Sequence, residues 1–386
     1  MSFKSFNFHP LVSAGIKAAG YETPTAIQKQ TIPAILNGSD VLGLAQTGTG
    51  KTAAFVLPIL QHLMKSPQKQ LRALILSPTR ELAEQTNAVI KVLGRKTGIR
   101  GFSIYGGVGK QPQINEFRNG TQIAVACPGR LLDLMNEKQI NLKNIDILVL
   151  DEADQMFDMG FLPTIRRIIA AVPKQRQTLL FSATMPKEIR SLANDFLNNP
   201  VVIEIGHSKP ADTVRHALYP VEQPQKMDTL IQLMDTTAIG QVLIFTRTKH
   251  RASKLAFKLK KQGFNADALQ GNLSQKQRDK VMDRFRQGRI DVLVATDIAS
   301  RGIDVTQVSH VINFDMPDTA EAYTHRIGRT GRMENQGMAL SFVTKDDNPI
   351  LRMIEKNMGH SIERREITHA FPQQQAHTSS PRSTAR

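Results

Sequence analysis

A single cysteine, Cys127, is all the thiol this 386-residue chain contains, so no internal disulfide can staple the fold. None of the ten histidines falls into an HExxH or Cys/His spacing that holds zinc, which sets a structural metal aside. No apolar run approaches the roughly 18 residues that cross a bilayer. The opening "MSFKSFNFHP" also lacks the apolar stretch of a signal peptide. The expected location is the cytoplasm. With hydrophobic residues at 40% and charged residues at 22%, wholesale disorder is excluded as well. What is plentiful is positive charge. The net +16 points to a polyanionic partner, and the excess is shared, eight charges in residues 1–205 and eight in residues 206–386. A partner that touches both halves fits this distribution.

At this length a single core stops growing, so two domains are expected. Short β-rich runs alternate with helical patterns, the signature of parallel α/β sheets. "DVLGLA", "RALILS", "QIAVAC", "IDILVL" and "TLLFSA" read as strands of the first half; "QVLIFT", "NADALQ", "IDVLVATD" and "HVINFD" read as strands of the second. Ala252, Leu255, Ala256 and Leu259 share one face of a helix that stops at Gly263. "SQKQRDKVMDRFRQG" opens with a Ser274/Gln277 capping box and turns Val281, Met282 and Phe285 inward. Glycine, prolines and polar residues break the pattern around 206–215. The expected division is a leading region over 1–31, a first α/β domain over 32–207, a linker over 208–216, a second domain over 217–368 and a disordered polar tail over 369–386.

"DVLGLAQTGTGKTAAF" is the strongest local signal. An apolar strand runs through Gly48, Thr49 and Gly50 into Lys51 and Thr52 and on into a helix, the arrangement whose backbone amides surround phosphates. Lys51 reaches the terminal phosphates, and the Thr52 hydroxyl suits Mg²⁺. A second strand, "ILVL", ends abruptly in Asp151, Glu152 and Asp154. Clustered carboxylates resist burial unless a cation or hydrogen bonds hold them. Beside a phosphate loop, Asp151 is the natural magnesium partner and Glu152 the group that orients or deprotonates the attacking water. In "AYTHRIGRTGR", read as following an Asp318/Glu321 capping box, Arg326, Arg329 and Arg332 recur every third residue with Gly328 and Gly331 between them. This is a shaped, phosphate-neutralising turn in the other half of the chain. "YGGVGKQ" imitates a phosphate loop, but Gln111 follows Lys110 and Pro112 is expected to spoil the helix start.

The ordered series "GYETPTAIQ", "AQTGTGKT", "PTREL", "GG", "CPGR", "DEAD", "SAT", "LIFTRT", "SQKQR", "ATDIASRGID" and "HRIGRTGR" resembles the DEAD-box ATP-dependent RNA helicases over nearly the whole chain to about Glu366. The text flanking two of these motifs looks most like the bacterial RhlE-type branch. The resemblance implies two tandem RecA-like domains with parallel sheets flanked by helices, with ATP, Mg²⁺ and RNA bound across the cleft. It implies that Gln28 reads the adenine edge, helped by Thr23 and by Phe3 stacking on the base; on residues alone, Phe3, Phe6 and Phe8 are equal core candidates. It puts Asp304 on the ribose and Arg329 with Arg332 on the γ-phosphate. Asp154, Ser182 and Thr184 would couple hydrolysis to closure, with Arg326 supporting the domain interface. RNA contacts are implied for Pro78, Thr79, Arg80, Gly106, Gly107, Gly129, Arg130, Gln275, Arg278 and Thr296. Small residues, amides and arginines of this kind grip phosphate and sugar rather than base edges. Ribosomal or RNA-degradation assemblies are the expected setting. Two departures stand out: Cys127 replaces the family's usual threonine, so a hydroxyl contact to RNA is in doubt there, and Ser300 replaces the commoner alanine. A DNA-directed translocase and an ATP-gated RNA clamp remain the alternatives.

Overall fold

Parallel strands buried on both faces read as unbroken aliphatic runs, because helices cover each side. "ALIL", "IAVA", "ILVL" and "VLVA" are all fully buried in the structure, a computed structural model that describes residues 2–45, 48–205, 214–237, 240–297, 308–331 and 337–366. The first lobe is built on β1 (Val41–Leu44), β2 (Ala73–Leu76), β3 (Gly101–Ile104), β4 (Ile123–Ala126), β5 (Ile147–Leu150), β6 (Gln177–Ser182) and β7 (Val201–Glu204). Around them pack α1 (Pro10–Ala18), α2 (Ala26–Leu36), α3 (Lys51–Lys65), α4 (Arg80–Leu93), α5 (Lys110–Arg118), α6 (Pro128–Asn136), α7 (Ala153–Asp158), α8 (Leu162–Ala170) and α9 (Lys187–Phe196). The second lobe has β8 (Val214–Pro220), β9 (Gln241–Phe245), β10 (Ala266–Leu269), β11 (Val292–Ala295), β12 (Val308–Asn313), β13 (Gly337–Val343) and β14 (Glu363–Arg364). Its described helices are α10 (Lys226–Thr237), α11 (Lys249–Lys261), α12 (Gln275–Arg286), α13 (Ala320–Ile327) and α14 (Asn348–Met358).

The two sheets share one topology. The first runs β3-β4-β2-β5-β6-β1-β7 and the second β10-β11-β9-β12-β13-β8-β14, the same order position for position, with every recorded pair parallel. The first sheet has one apolar cluster on each face, and the second has one on one face and two on the other. In the first lobe, Phe55, Ile59, Ile90 and Phe181 lie on one side and Leu74, Leu131, Leu148 and Ile168 on the other. The order matters for function because β5, β6 and β1 are neighbours. Whatever follows their C-terminal ends meets at one place, as ligand sites do in open α/β sheets.

Several local expectations change. The five strands β3, β7, β8, β13 and β14 stand beyond the nine read from sequence, and β8 begins at Val214, inside the stretch read as linker. α5 does start at Lys110, with Pro112 in its first turn, where the missing N–H has no helical acceptor to lose. α13 is capped by Thr319, whose hydroxyl accepts from the Ala322 N–H at 3.1 Å, rather than by an Asp318/Glu321 box. The Ser274/Gln277 box is present at α12. Residues 208–213 of the linker and the whole tail over 369–386 lie outside the described residues.

Candidate active site and nucleic-acid interface

The loop after β1 turns into α3 at Gly50, whose φ of +94° is open to glycine and costly for other residues. A Cβ there would also lie 2.6 Å from the Gln28 side-chain nitrogen. Gln28 is buried, and both ends of its amide are engaged. Its oxygen accepts from the Thr25 N–H at 2.9 Å and its nitrogen donates to the Gly50 carbonyl at 3.1 Å. The residue expected on the adenine edge thus also ties α2 to the phosphate loop, leaving one N–H and one lone pair over. Phe3 packs against Tyr21 and Phe6 with ring centroids 6.1 Å away in each case, and only 6% of it is exposed. Its ring belongs to the core cluster, as the residue-level reading had it.

Lys51, the first residue of α3, is buried. Its Nζ donates to the Ala45 carbonyl at 2.9 Å and lies 3.6 Å from Glu152 Oε1. Lysine, glutamate and phosphate-loop backbone therefore converge at the ends of β1 and β5. Glu152 occupies the left-handed region at φ 53°, ψ 52°, a conformation that costs a non-glycine residue on the order of 1 kcal/mol or more. Its side chain accepts a hydrogen bond from Gln155. Asp151 is almost fully buried, and its Oδ1 has no hydrogen-bond partner. Burial holds this carboxyl well above the ordinary range, with Lys51 pulling the other way and Glu152 adding to the rise. An orphaned carboxylate oxygen of this kind fits a hard cation, and Thr52 follows Lys51 in the first turn of α3. Among the described residues no group of three or more His, Cys, Asp or Glu side chains could hold a metal, so water and phosphate would complete the shell.

The last acid of the run faces the other way. Asp154 Oδ2 accepts from the Thr184 hydroxyl at 2.9 Å, the Thr184 N–H at 2.8 Å and the Ala183 N–H at 3.1 Å, while its own N–H donates to Ser182 Oγ at 3.3 Å. The pairing of β5 beside β6 makes this possible, with Leu150 opposite Leu180. From the second lobe, His325 Nε2 approaches the same Oδ2 to 3.9 Å.

Residues 25–192 match the family model for DEAD/DEAH box helicases, and residues 225–334 match that for the helicase conserved C-terminal domain. The chain belongs to the DEAD-box RNA helicases. It is 44% identical over 346 residues to the RNA helicase CrhR of Synechocystis, spanning 89% of this chain and 70% of that protein. It is 43% identical over 357 residues to the ATP-dependent RNA helicase CshA of Limosilactobacillus reuteri, spanning 92% and 72% respectively. Its fold is similar to that of Saccharomyces cerevisiae Dbp5 bound to RNA and ADP BeF3, with a TM-score of 0.86, 36% identity and 95% of both chains covered.

In this DEAD-box helicase two of the residues expected on RNA, Arg80 and Arg278, meet partners in the opposite lobe. Arg278 donates from Nε and Nη2 to Glu81 Oε1 at 3.1 and 2.7 Å. Arg80 Nη2 lies 3.3 Å from Asp279, with its guanidinium 4.3 Å from the centre of the Tyr105 ring and its Nη1 buried and unpartnered. Gln275 donates to Asp279 at 2.8 Å. Gly106 and Gly107 are exposed and Gly129 is half-buried, each with open space where a Cβ would stand. Arg130 closes the loop after β3 by donating both terminal nitrogens to the Val108 carbonyl at 3.0 Å. Pro78 and Thr79 are buried at the start of α4, where the Thr79 hydroxyl caps the Leu82 N–H at 3.3 Å, and Thr296 is half-buried after β11. Thr23 is exposed ahead of α2.

Arg326 differs from its expected interface role. It binds Asp297 with both fork nitrogens at 2.6 and 2.8 Å, donates to Asn313 and to the Asp315 carbonyl, and stacks over Phe245, all within its own lobe. Its side chain braces the ends of β9, β11 and β12. Arg329 is buried beside it, whereas Asp304, Arg332 and Ser300 lie outside the described residues. Cys127 packs against the first-lobe core; burial first, and Glu81 second, push its thiol up to about 12. The residue that sequence reasoning passed over is His325, the first letter of "HRIGRTGR". The quoted motif contained it, but only its neighbouring arginines carried an obvious charge argument.

Proposed function

We infer that the protein hydrolyses ATP between its two lobes and uses the cycle to bind, locally unwind and remodel RNA duplexes or RNA–protein complexes with little sequence preference. One observation carries this reading: Asp154 is bonded to Ser182 and Thr184 on one side and approached by His325 of the other lobe, so the hydrolysis site and the lobe junction share a carboxylate. The backbone of Gly48, Thr49 and Gly50 cradles the phosphates, and Lys51 exchanges its bond to Ala45 for a terminal phosphate oxygen. Glu152 orients the attacking water and accepts its proton. Thr52 and Asp151 would hold Mg²⁺, which neutralises phosphoryl charge when bound. Arg329 and Arg332 stabilise the transferring phosphoryl group from the second lobe. Gln28, with Thr23, receives the adenine, and Asp304 the ribose.

RNA lies over Pro78, Thr79, Arg80, Gly106, Gly107, Gly129, Arg130, Gln275, Arg278 and Thr296. The buried free N–H of Arg80 supports a phosphate contact there. RNA and ATP each favour the same lobe arrangement, so each tightens the other's binding. The similarity to Dbp5 solved with RNA and ADP BeF3 supports that coupling. We further read the chain as a RhlE-type helicase of the cytoplasm, acting on ribosomal or RNA-degradation assemblies, with lobes divided at 32–207 and 217–368. No described helix is long and apolar enough to cross a membrane. Strand displacement on a short RNA duplex tests the reading: unwinding should require ATP and be lost in Lys51→Ala, and ATP-independent displacement would overturn it.

A further inference from the structure

β3 is the outer strand of the first sheet, paired only with β4. Strand parity shows which of its backbone groups are left over. The Ile123 N–H donates to the Arg100 carbonyl at 3.2 Å and the Cys127 N–H to the Ile104 carbonyl at 2.7 Å, so even-numbered residues face β4. Gly101, Ser103 and Tyr105 then face outward. Among the described residues this edge is closed at Tyr105 alone, where the Gln113 side chain accepts from its N–H and donates to its carbonyl, both at 3.2 Å. Gly101 and Ser103 line the floor of a cleft of about 740 Å³ between α4 and α5.

Two further groups in that cleft lack partners. Asn87 is only 4% exposed, yet its Oδ1 accepts no hydrogen bond, and the Ser103 hydroxyl is likewise buried and unbonded. A buried amide oxygen without a donor is costly unless something supplies one. The rim is basic. Lys91, Arg95 and Arg100 are exposed with no carboxylate partner among the described residues, whereas Glu84 and Glu116, also in the lining, are engaged by Tyr105 and Thr121.

We propose that this edge is a docking site for an extended acidic segment of a partner protein, which adds a strand beside β3 and presents a hydroxyl or amide side chain to Asn87 and Ser103. Backbone pairing supplies the affinity, and alternate side chains supply the choice of partner. The site is separate from the ATP cleft and does not depend on the nucleotide chemistry above.

The test uses the full-length protein and a fluorescein-labelled peptide, Glu-Glu-Thr-Val-Thr-Glu-Glu, followed by anisotropy. Ser103→Pro removes the outward N–H at an edge position where proline is tolerated. Saturable binding by the wild type, at least tenfold weaker in Ser103→Pro with RNA-stimulated ATPase unchanged, is the expected result. A fully N-methylated peptide applied to the wild type makes the same test without a variant, and it should not bind. Equal binding of the methylated and parent peptides would overturn the proposal. So would a Ser103→Pro protein that keeps peptide binding, or one that instead loses affinity for oligouridylate, which would make the groove an RNA path.

Discussion

Glu152 and His325 mark the two ends of what single residues do here. Glu152 holds a left-handed backbone at the mouth of β5, strain that is understandable if its carboxylate must face the phosphate loop. Glu152→Gln keeps the shape and removes the proposed base. ATPase turnover should fall by roughly 100-fold or more while ATP-dependent RNA binding persists, read by phosphate release and filter binding. His325→Ala removes the approach to Asp154, so the RNA concentration for half-maximal ATPase should rise several-fold with ATP affinity in the absence of RNA unchanged. Lys51, Thr52, Asp151 and Glu152 were legible because each sits in a contiguous run of unusual chemistry. His325 was not, because its meaning depends on a carboxylate in the other lobe. The double engagement of Gln28 was hidden for the same reason: its partner Gly50 comes from a different element.

At the scale of elements, the strands that announced themselves are the buried central ones, whose aliphatic runs reflect helices on both faces. Those that stayed hidden are mostly edges. β3 alternates buried and half-buried residues, β7 leaves Val201 and Val202 exposed, and β14 has two exposed charged residues. β8 was masked by its polar start, Arg215 and His216. His216 lies against the buried Tyr323 of α13, its Nδ1 3.1 Å from the hydroxyl. Burial, and secondarily the charge of His360, push its pKa down from 6.5 to about 4. The folded lobe therefore favours neutral His216, and the stability this carries is complete above pH 6.5 and lost as the pH falls toward 4. Denaturation followed by circular dichroism should show the second lobe weakening across that window, and His216→Phe should flatten the dependence.

Across the whole molecule, the evenly divided positive charge and the repeated strand order describe two similar lobes with unequal equipment. Only the first has the glycine loop and acid run, and only the second has the arginine cluster. That division was readable from the sequence; which side chains bridge the lobes was not, because Glu81 and Arg278 look like ordinary helix-surface charges. Exchanging them as Glu81→Arg with Arg278→Glu should preserve the ion pair while displacing the arginine from any RNA phosphate. RNA affinity should then fall with lobe contact retained, as read by fluorescence transfer between dyes on the two lobes. The central claim is that RNA draws both lobes around one ATP. Steady-state ATPase of the full chain, compared without nucleic acid, with an RNA oligonucleotide and with its DNA counterpart, tests it most directly. RNA should stimulate turnover at least tenfold and DNA should not; turnover indifferent to RNA, or stimulated more by DNA, would contradict the account.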